Sequence, residues 1–251
     1  MCPKTNATKT MAEPALIEQE TPSSSGGRGG EAGSPPLPPR ETVPDWASLP
    51  HDVVVEIFGR LRHADILGGA GLACAPWRRA AAGEPTLWRR IDLGFDDGDR
   101  IDNVTGAARL AMARAAVGRS AGRCESFRGP ADRHVLVYLA AGAPLLRSLH
   151  VVYAPWCLPE AFSGRVIAKL RMLERLVLGG GLFLRSTLLE LLEQCPRLEV
   201  LQAGDCTADR VIGSRLRLRC RRKIKVVSLP AMIHNYCFCR LCHQDRQRGN
   251  I

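Results

Sequence analysis

The sequence predicts an α/β fold in which three short N-terminal helices precede a short solenoid of strand–turn–helix units. Two patterns predict it. After Trp46, apolar side chains follow the spacing of one helical face at Val54, Ile57, Phe58 and Leu61. Further along, apolar triplets recur, and the intervals between them contain stretches with helical periodicity, such as 187–193. The chain therefore places its helical unit first and alternating strands and helices afterwards.

Composition indicates a folded protein without a membrane segment. Of 251 residues, 45% are hydrophobic and 24% are charged, and no charge-free stretch reaches the ~18 residues that a membrane-spanning helix needs. The first twenty residues lack the apolar block of a secretory signal. We therefore expect the protein in the cytoplasm and/or the nucleus, where its ten cysteines would stay reduced.

The N-terminal arm differs in composition from the rest of the chain. Pro, Gly, Ser and Thr supply 21 of residues 1–43, and this arm contains no aromatic residue. Such a composition buries too little apolar surface to fold, so we predict a disordered arm over 1–43. Beyond it we predict a helical domain over 44–92, repeats over 93–230 and a basic, cysteine-rich tail over 231–251.

The helical domain should contain three short helices. The first carries the stripe described above and has Pro50 in its first turn, where the missing N–H costs nothing. Asp65 is a suitable N-cap for a second helix that carries the apolar residues of 66–72. Pro76 opens a third helix, which contains Trp77.

Six apolar triplets, whose second and third members follow the first by three and five residues, define the predicted repeats. They are Trp88/Ile91/Leu93, Cys124/Phe127/Gly129, Leu146/Leu149/Val151, Leu173/Leu176/Leu178, Leu198/Leu201/Ala203 and Ile224/Val227/Leu229. Their starts are separated by 36, 22, 27, 25 and 26 residues, so the last three intervals agree closely and the first two units are degenerate. An ordinary α/β sheet would also alternate strands and helices, but it would not require so regular an interval.

The helical domain carries a combination of residues that resembles an F-box. The matching positions are Leu49-Pro50, Asp52-Val53, Phe58, Leu61, Asp65-Ile66, Ala70-Gly71-Leu72, Cys74, Trp77-Arg78-Arg79, Ala81, Pro85 and Leu87-Trp88. The preceding Asp45-Trp46 is similar to a plant subgroup of F-box proteins with leucine-rich repeats, and Cys195 and Cys206 fall where cysteine-containing repeats place them. Ala75 and Pro76 depart from the residues common in the family without breaking the helix.

This resemblance implies a substrate-recognition subunit of an SCF-type ubiquitin ligase, which is not itself an enzyme and needs no cofactor. The F-box would bind a Skp-family adaptor, and through it a cullin scaffold, while the repeats would bind a target protein. The residues assigned to adaptor contact are Leu49, Pro50, Ile57, Leu61, Leu67 and Trp77. The residues assigned to target contact, at strand positions between the inward leucines, are Ser148, His150, Arg175, Val177, Val200 and Gln202.

Charge and cysteine spacing leave two alternative functions open, namely nucleic-acid binding and a zinc-dependent interaction. The formal net charge is +10, and the basic stretch 215–225 could contact nucleic acid. Its leucines alternate, however, and aromatic residues for base stacking make up only 5% of the chain, so we favour a solvated repeat surface. Four potential zinc ligands lie close together in the tail: Cys237, Cys239, Cys242 and His243. Because adjacent Cys and His side chains seldom reach the same ion, we assign no metal site.

Neither a nucleotide site nor a catalytic centre is predicted. The segment 176–181 ends in three glycines and precedes a capping box at Thr187 and Glu190, a layout that can hold phosphate. No Gly-Lys-Ser/Thr follows, so a tight turn is the better interpretation. His51 and His63 lie in the helical domain, where a helix surface explains them, and no nucleophile–histidine pair or paired carboxylates emerge.

Overall fold

A computed structural model describes residues 45–94, 106–152 and 164–231. Within these ranges the chain has mixed α/β structure: short helices come first, and parallel strands alternating with helices follow. The predicted arm over 1–43 and the tail cysteines lie outside the described residues.

The N-terminal part of the structure consists of α1 (His51–Arg60), α2 (His63–Gly68) and α3 (Ala75–Gly83). Single 3₁₀ turns at Trp46–Ser48, Ala70–Leu72 and Pro85–Trp88 accompany them. The apolar stripe of α1 divides: Val54 and Phe58 are 1% exposed and enter the core, whereas Ile57 is half-buried and Leu61 lies exposed at the end of the helix.

Two details predicted for the second helix are wrong. α2 begins before Asp65, whose carboxylate pairs with Arg62 at 2.9 Å instead of capping the helix. α2 also ends before the 3₁₀ turn at Ala70–Leu72, because Gly69 has backbone angles (φ −148°, ψ −84°) outside the helical region. The apolar residues of 66–72 are therefore divided between two elements.

Within the described ranges, six strands form one parallel sheet. They are β1 (Arg90–Asp92), β2 (Ser126–Gly129), β3 (Ser148–Val151), β4 (Arg175–Leu178), β6 (Val200–Gln202) and β8 (Val226–Ser228). Their order across the sheet follows their order along the chain. Two further strands, β5 (Leu182–Phe183) and β7 (Thr207–Ala208), pair in parallel beside this sheet.

The pairing register agrees with the predicted triplets. The second members of all six triplets are direct partners on neighbouring strands: Ile91, Phe127, Leu149, Leu176, Leu201 and Val227. The first five are at most 1% exposed, and Val227 on the last strand is half-buried. The two units that the sequence presents as degenerate are thus in register with the others.

Helices between the strands cover the buried face of the sheet. They are α4 (Gly106–Arg119), α5 (Arg133–Gly142), α6 (Gly164–Ile167), α7 (Arg185–Gln194) and α8 (Ser214–Lys223). Parallel strands require such crossover connections. One apolar core runs from Val54 on α1 to Ile224 ahead of β8, so the N-terminal helices pack on the same core as the sheet.

The start of α7 differs from the predicted capping box. Thr187 lies inside the helix and is buried, and the N-cap residue Leu184 provides no side-chain cap. Asp209, 24 residues further along the chain, accepts a hydrogen bond from the backbone N–H of Arg185 at 2.8 Å. A distant carboxylate therefore satisfies one of the free N–H groups of the helix.

The turn that follows β4 is tight. Gly180 and Gly181 have φ angles of +110° and +93°, a conformation that side chains disfavour. The Cys206 thiol donates to the carbonyl oxygen of Gly180 at 3.3 Å and ties the turn to the next unit. This arrangement agrees with the interpretation of the glycines as a turn.

Candidate protein-binding surfaces

The residues predicted for adaptor contact fall into two groups. Four retain accessible surface: Leu49, Pro50, Ile57 and Leu61. The other two, Leu67 and Trp77, are each 9% exposed and belong to the core. The structure therefore gives Leu67 and Trp77 a packing role and leaves them little side-chain surface for a partner.

Trp77 is the centre of an aromatic cluster. It packs edge-to-face against Phe58, with ring centroids 5.4 Å apart, and against Trp46, at 6.5 Å. Its indole N–H donates to the carbonyl oxygen of Trp46 at 2.8 Å. These contacts hold the 3₁₀ turn at Trp46–Ser48 against α1 and α3.

The exposed side of α1 forms a shallow depression that includes Val53 and Ile57, one helical turn apart. Val53 is 39% exposed. Charged side chains surround the pair: Asp52 lies beside it, and Glu56 and Arg60 form an exposed ion pair at 2.9 Å. Val53 was not among the residues predicted for adaptor contact, although its spacing of four residues from Ile57 was a usable signal.

All six residues predicted for target contact lie on one face of the sheet. Two rows contain them, because the register pairs Ser148, Arg175 and Val200, and pairs His150, Val177 and Gln202. Side chains alternate between the two faces of a strand, so this face is opposite the buried triplet residues. The structure thus brings together residues that are up to 54 positions apart in the chain.

The same two rows continue onto the first two strands. Arg90 and Ser126 extend the first row, and Asp92 and Arg128 extend the second. Together with five of the six predicted residues, these side chains line a groove of about 330 Å³ on the open face of the sheet. These four residues were not among those predicted for target contact, because the first two units look degenerate in the sequence; their positions between the triplet members were the available signal.

The groove has an uneven distribution of charge. The Arg128 guanidinium binds the Asp92 carboxylate at 3.1 Å and lies over the backbone of Gly94, where a Cβ atom would collide with it. Burial, and then the nearby Arg128, lowers the pKa of His150. Arg90 and Arg175 are exposed, and no carboxylate within the described ranges pairs with either.

Cross-strand ion pairs line one border of this face. The pairs join residues that immediately precede the strands: Arg89 with Glu125 (2.8 Å), Arg147 with Glu174 (3.1 Å), and Lys225 with Glu199 (2.8 Å). The hydrogen bond from Arg89 is the main cause of the lowered pKa of Glu125. The border therefore presents alternating, mutually neutralised charges.

The basic stretch 215–225 forms most of α8 and the two residues that lead into β8. Leu216 and Cys220 bury one side of this helix, so the stretch is part of the repeated packing. Arg217 donates to the carbonyl oxygens of Ile212 and Pro230 at 3.0 and 3.1 Å. At least one arginine of the stretch thus serves the local structure.

Four cysteines of the described part are buried: Cys124, Cys195, Cys206 and Cys220. Burial raises the pKa of Cys124 to about 12 and that of Cys195 to about 11, so both remain thiols at neutral pH.

Among the described residues, no three His, Cys, Asp or Glu side chains gather where they could hold a metal ion. The tail candidates Cys237, Cys239, Cys242 and His243 lie outside the described ranges. Within those ranges, no helix has the length and apolar character needed to cross a bilayer.

Comparison with known proteins gives a family match in the helical domain and similarity to plant relatives. Residues 46–94 match the sequence model of the family described as F-box-like. The chain is 28% identical over 207 residues to "Putative F-box/LRR-repeat protein 23" of Arabidopsis thaliana, an alignment that covers 80% of this chain and 43% of that relative. It is 30% identical over 175 residues to "Putative F-box/LRR-repeat protein 9" of the same plant, covering 66% of this chain and 67% of the relative.

A third relative from Arabidopsis thaliana, "F-box protein SKIP19", is 31% identical over 127 residues. That alignment covers 49% of this chain and 40% of the relative. The chain thus spans less than half the length of two of these three relatives.

Proposed function

Since the chain belongs to the F-box/LRR-repeat family of plant proteins, we propose that it is a substrate-recognition subunit of an SCF-type ubiquitin ligase. In this proposal the helices within 46–94 bind a Skp-family adaptor, and through it a cullin scaffold. The open face of the sheet binds the target protein. The chain contributes by holding the target near the ubiquitin-loaded enzyme, and other subunits carry out the covalent steps.

We further propose that the six-stranded sheet and its helices form a short leucine-rich-repeat solenoid. The sequential strand order and the common register of Ile91, Leu149 and Leu201 support this assignment. A solenoid of this kind gives one continuous open face, built from equivalent positions of successive units. Under this proposal the domain boundaries are those expected from the sequence, 44–92 and 93–230.

The observation that carries the adaptor proposal is the apolar surface of α1 and its N-terminal approach. Leu49, Pro50, Val53 and Ile57 keep accessible surface although the core of the helical domain is already filled by Val54, Phe58 and Trp77. A small helical unit that leaves apolar side chains at its surface calls for a partner. Buried anchors of this type typically dominate the energy of an interface.

A receptor role is also consistent with the state of the cysteines. Cys124 and Cys195, potential nucleophiles by residue type, are buried, and their raised pKa values keep them protonated. A thiol in that state is a poor acceptor for a transferred ubiquitin.

We propose a location in the cytoplasm and/or the nucleus, which imaging of a fluorescent fusion would test.

Co-expression with a plant Skp-family adaptor tests the proposed function. We expect a tagged full chain to co-purify with the adaptor as a stable complex. Leu49→Ala combined with Pro50→Ala should weaken capture by about tenfold or more, with an unchanged circular dichroism spectrum. Ser148→Ala, on the sheet face, is the matched control and should capture the adaptor fully. Absence of a complex with the unaltered chain, or full capture by the double variant, would refute the proposal.

A further inference from the structure

We propose that the open face of the sheet binds an extended segment of the target protein with two carboxylate side chains about four residues apart, one held by Arg90 and the other by Arg175. This inference rests on the proposed function, since it names the class of segment that the target would present. The proposed ligand of the groove is therefore an acidic segment of a protein.

The register fixes the spacing of the two arginines. Arg90 pairs with Ser126, Ser126 with Ser148, and Ser148 with Arg175, so the two arginines lie at the ends of a four-strand segment of this row. Three intervals between adjacent strands amount to about 14 Å. An extended peptide advances about 3.3–3.6 Å per residue, so about four residues cover this distance.

The floor between the arginines suits a peptide backbone. Ser126 and Ser148 are half-buried, and their hydroxyl groups can both donate and accept hydrogen bonds. His150 lies in the next row, and its lowered pKa leaves it uncharged at neutral pH. The middle of the row therefore provides polar, uncharged groups that fit small or polar residues between the two carboxylates.

Positive charge is available at the two ends of this four-strand segment. Arg90 and Arg175 are exposed and form no ion pair with a carboxylate of the described residues, although Arg90 is near enough to Glu125 to help lower its pKa. Arg128, in contrast, is engaged by Asp92 at 3.1 Å. At the border, the charges of Arg89 and Glu125 neutralise each other, and so do those of Arg147 and Glu174. The positive charge left for a partner in this part of the groove is thus divided between two separate guanidinium groups.

The arrangement favours carboxylates over phosphate and protein over nucleic acid. Arg90 has Ser126 beside it in the row, and Arg175 has Ser148 and Val200, so each end offers one guanidinium. A single guanidinium matches the single charge of a carboxylate, whereas a phosphate group carries nearly two charges and is typically bound by a cluster of arginines. A nucleic-acid strand would need stacking rings, but histidine is the only aromatic-ring residue that lines the groove in the described structure.

Selection from a random twelve-residue peptide display library on the purified full chain tests the inference. We expect enrichment of peptides with two Asp or Glu residues about four positions apart. Selection on a chain with Arg90→Gln and Arg175→Gln should lose this enrichment. Arg222→Gln, which removes one exposed positive charge from α8, is the control and should retain it.

Titration of a selected, fluorescently labelled peptide makes the test quantitative. Each of Arg90→Gln and Arg175→Gln should weaken binding by about tenfold, and moving the two acidic residues closer by two positions should weaken it similarly. Enrichment without an acidic pair, equal binding by the Arg222→Gln and Arg175→Gln chains, or tighter binding of the phosphoserine version would overturn the inference. Adaptor capture by the arginine variants should remain complete, so failure here is distinguishable from failure of the proposed function.

Discussion

His63 accepts a hydrogen bond from the backbone N–H of Asp92, with 3.3 Å between Nδ1 and the nitrogen, and so joins α2 to the first strand of the sheet. Because Nδ1 accepts, the ring proton lies on Nε2, which donates to the carbonyl oxygen of Leu87 at 2.9 Å. The ring also packs on Trp88, with centroids 5.3 Å apart. A histidine that the sequence assigned to a helix surface is therefore a connection between the helical domain and the sheet.

Replacement of His63 should destabilise this connection. His63→Ala removes both hydrogen bonds and the contact with Trp88, so we expect a loss of about 1–2 kcal/mol in the free energy of unfolding. Urea denaturation followed by circular dichroism measures it. His51→Ala, at the exposed start of α1, is the control and should leave the midpoint unchanged. Equal midpoints for the two variants would show that the histidine bridge contributes nothing.

Trp77 and Leu67 should affect adaptor capture only through the fold. Trp77→Ala empties the aromatic cluster and should lower the free energy of unfolding by about 3–5 kcal/mol, and Leu67→Ala by about 2–5 kcal/mol. Thermal unfolding of each variant measures the loss. Full stability together with lost capture would instead place these side chains in the interface.

A substitution at Val53 should weaken adaptor capture without destabilising the fold. Val53→Asp places a charge on the exposed apolar surface of α1, so we expect capture of the adaptor to fall by about tenfold. The melting temperature should stay close to that of the unaltered chain, because the side chain is outside the core. Val137→Asp, at an exposed valine of α5, controls for the added charge. Undiminished capture by the Val53 variant would remove α1 from the proposed interface.

Asp209 should stabilise the start of α7. Asp209→Ala removes the acceptor for the Arg185 N–H and should cost about 1 kcal/mol, the usual effect of losing a helix cap. Asp205→Ala, an exposed aspartate in the same connection, is a suitable control. The difference between their denaturation midpoints reports the cap, and identical midpoints would contradict it.

The buried thiols should resist alkylation. Burial raises the pKa of Cys124 to about 12 and of Cys195 to about 11, so at about pH 8 the reactive thiolate is scarce and also shielded. Iodoacetamide on the native chain should modify the half-buried Cys74 before either of them, as peptide mass spectrometry would show. In urea all three should react at similar rates. Early labelling of Cys124 in the native chain would contradict its burial.

The sequence predicted the sheet well because its signal is local. The triplet spacing identified Phe127 and Leu176 as cross-strand partners of their neighbours, even in units with irregular intervals, since alternation along a strand depends only on that strand. The same spacing placed Ser148 and Gln202 on one face. The outline of the groove could therefore be predicted from the sequence alone.

The parts that sequence reasoning missed depend on contacts between distant residues. Asp209 caps a helix 24 residues away, and His63 reaches 29 residues to Asp92. Nothing near Thr187 in the sequence indicates that a distant carboxylate takes over its capping role. On α1 and α3 an apolar spacing does not distinguish core from surface, so Trp77 and Ile57 looked equivalent although the first is buried and the second half-buried.

The sequential order of the strands has a consequence for how the native sheet opens. Among the strands that the structure describes, each strand of the six-stranded sheet pairs only with strands of adjacent units, so opening can begin at an end of this sheet without disturbing its middle. β1 is held at its side by His63, whereas β8 has Val226 49% exposed and Val227 half-buried. Amide protons of β8 should therefore exchange with deuterium first, and those of β2 to β4, whose Phe127, Leu149 and Leu176 are fully buried, should exchange last. Unfolding would then begin at β8 and proceed strand by strand towards the helical domain.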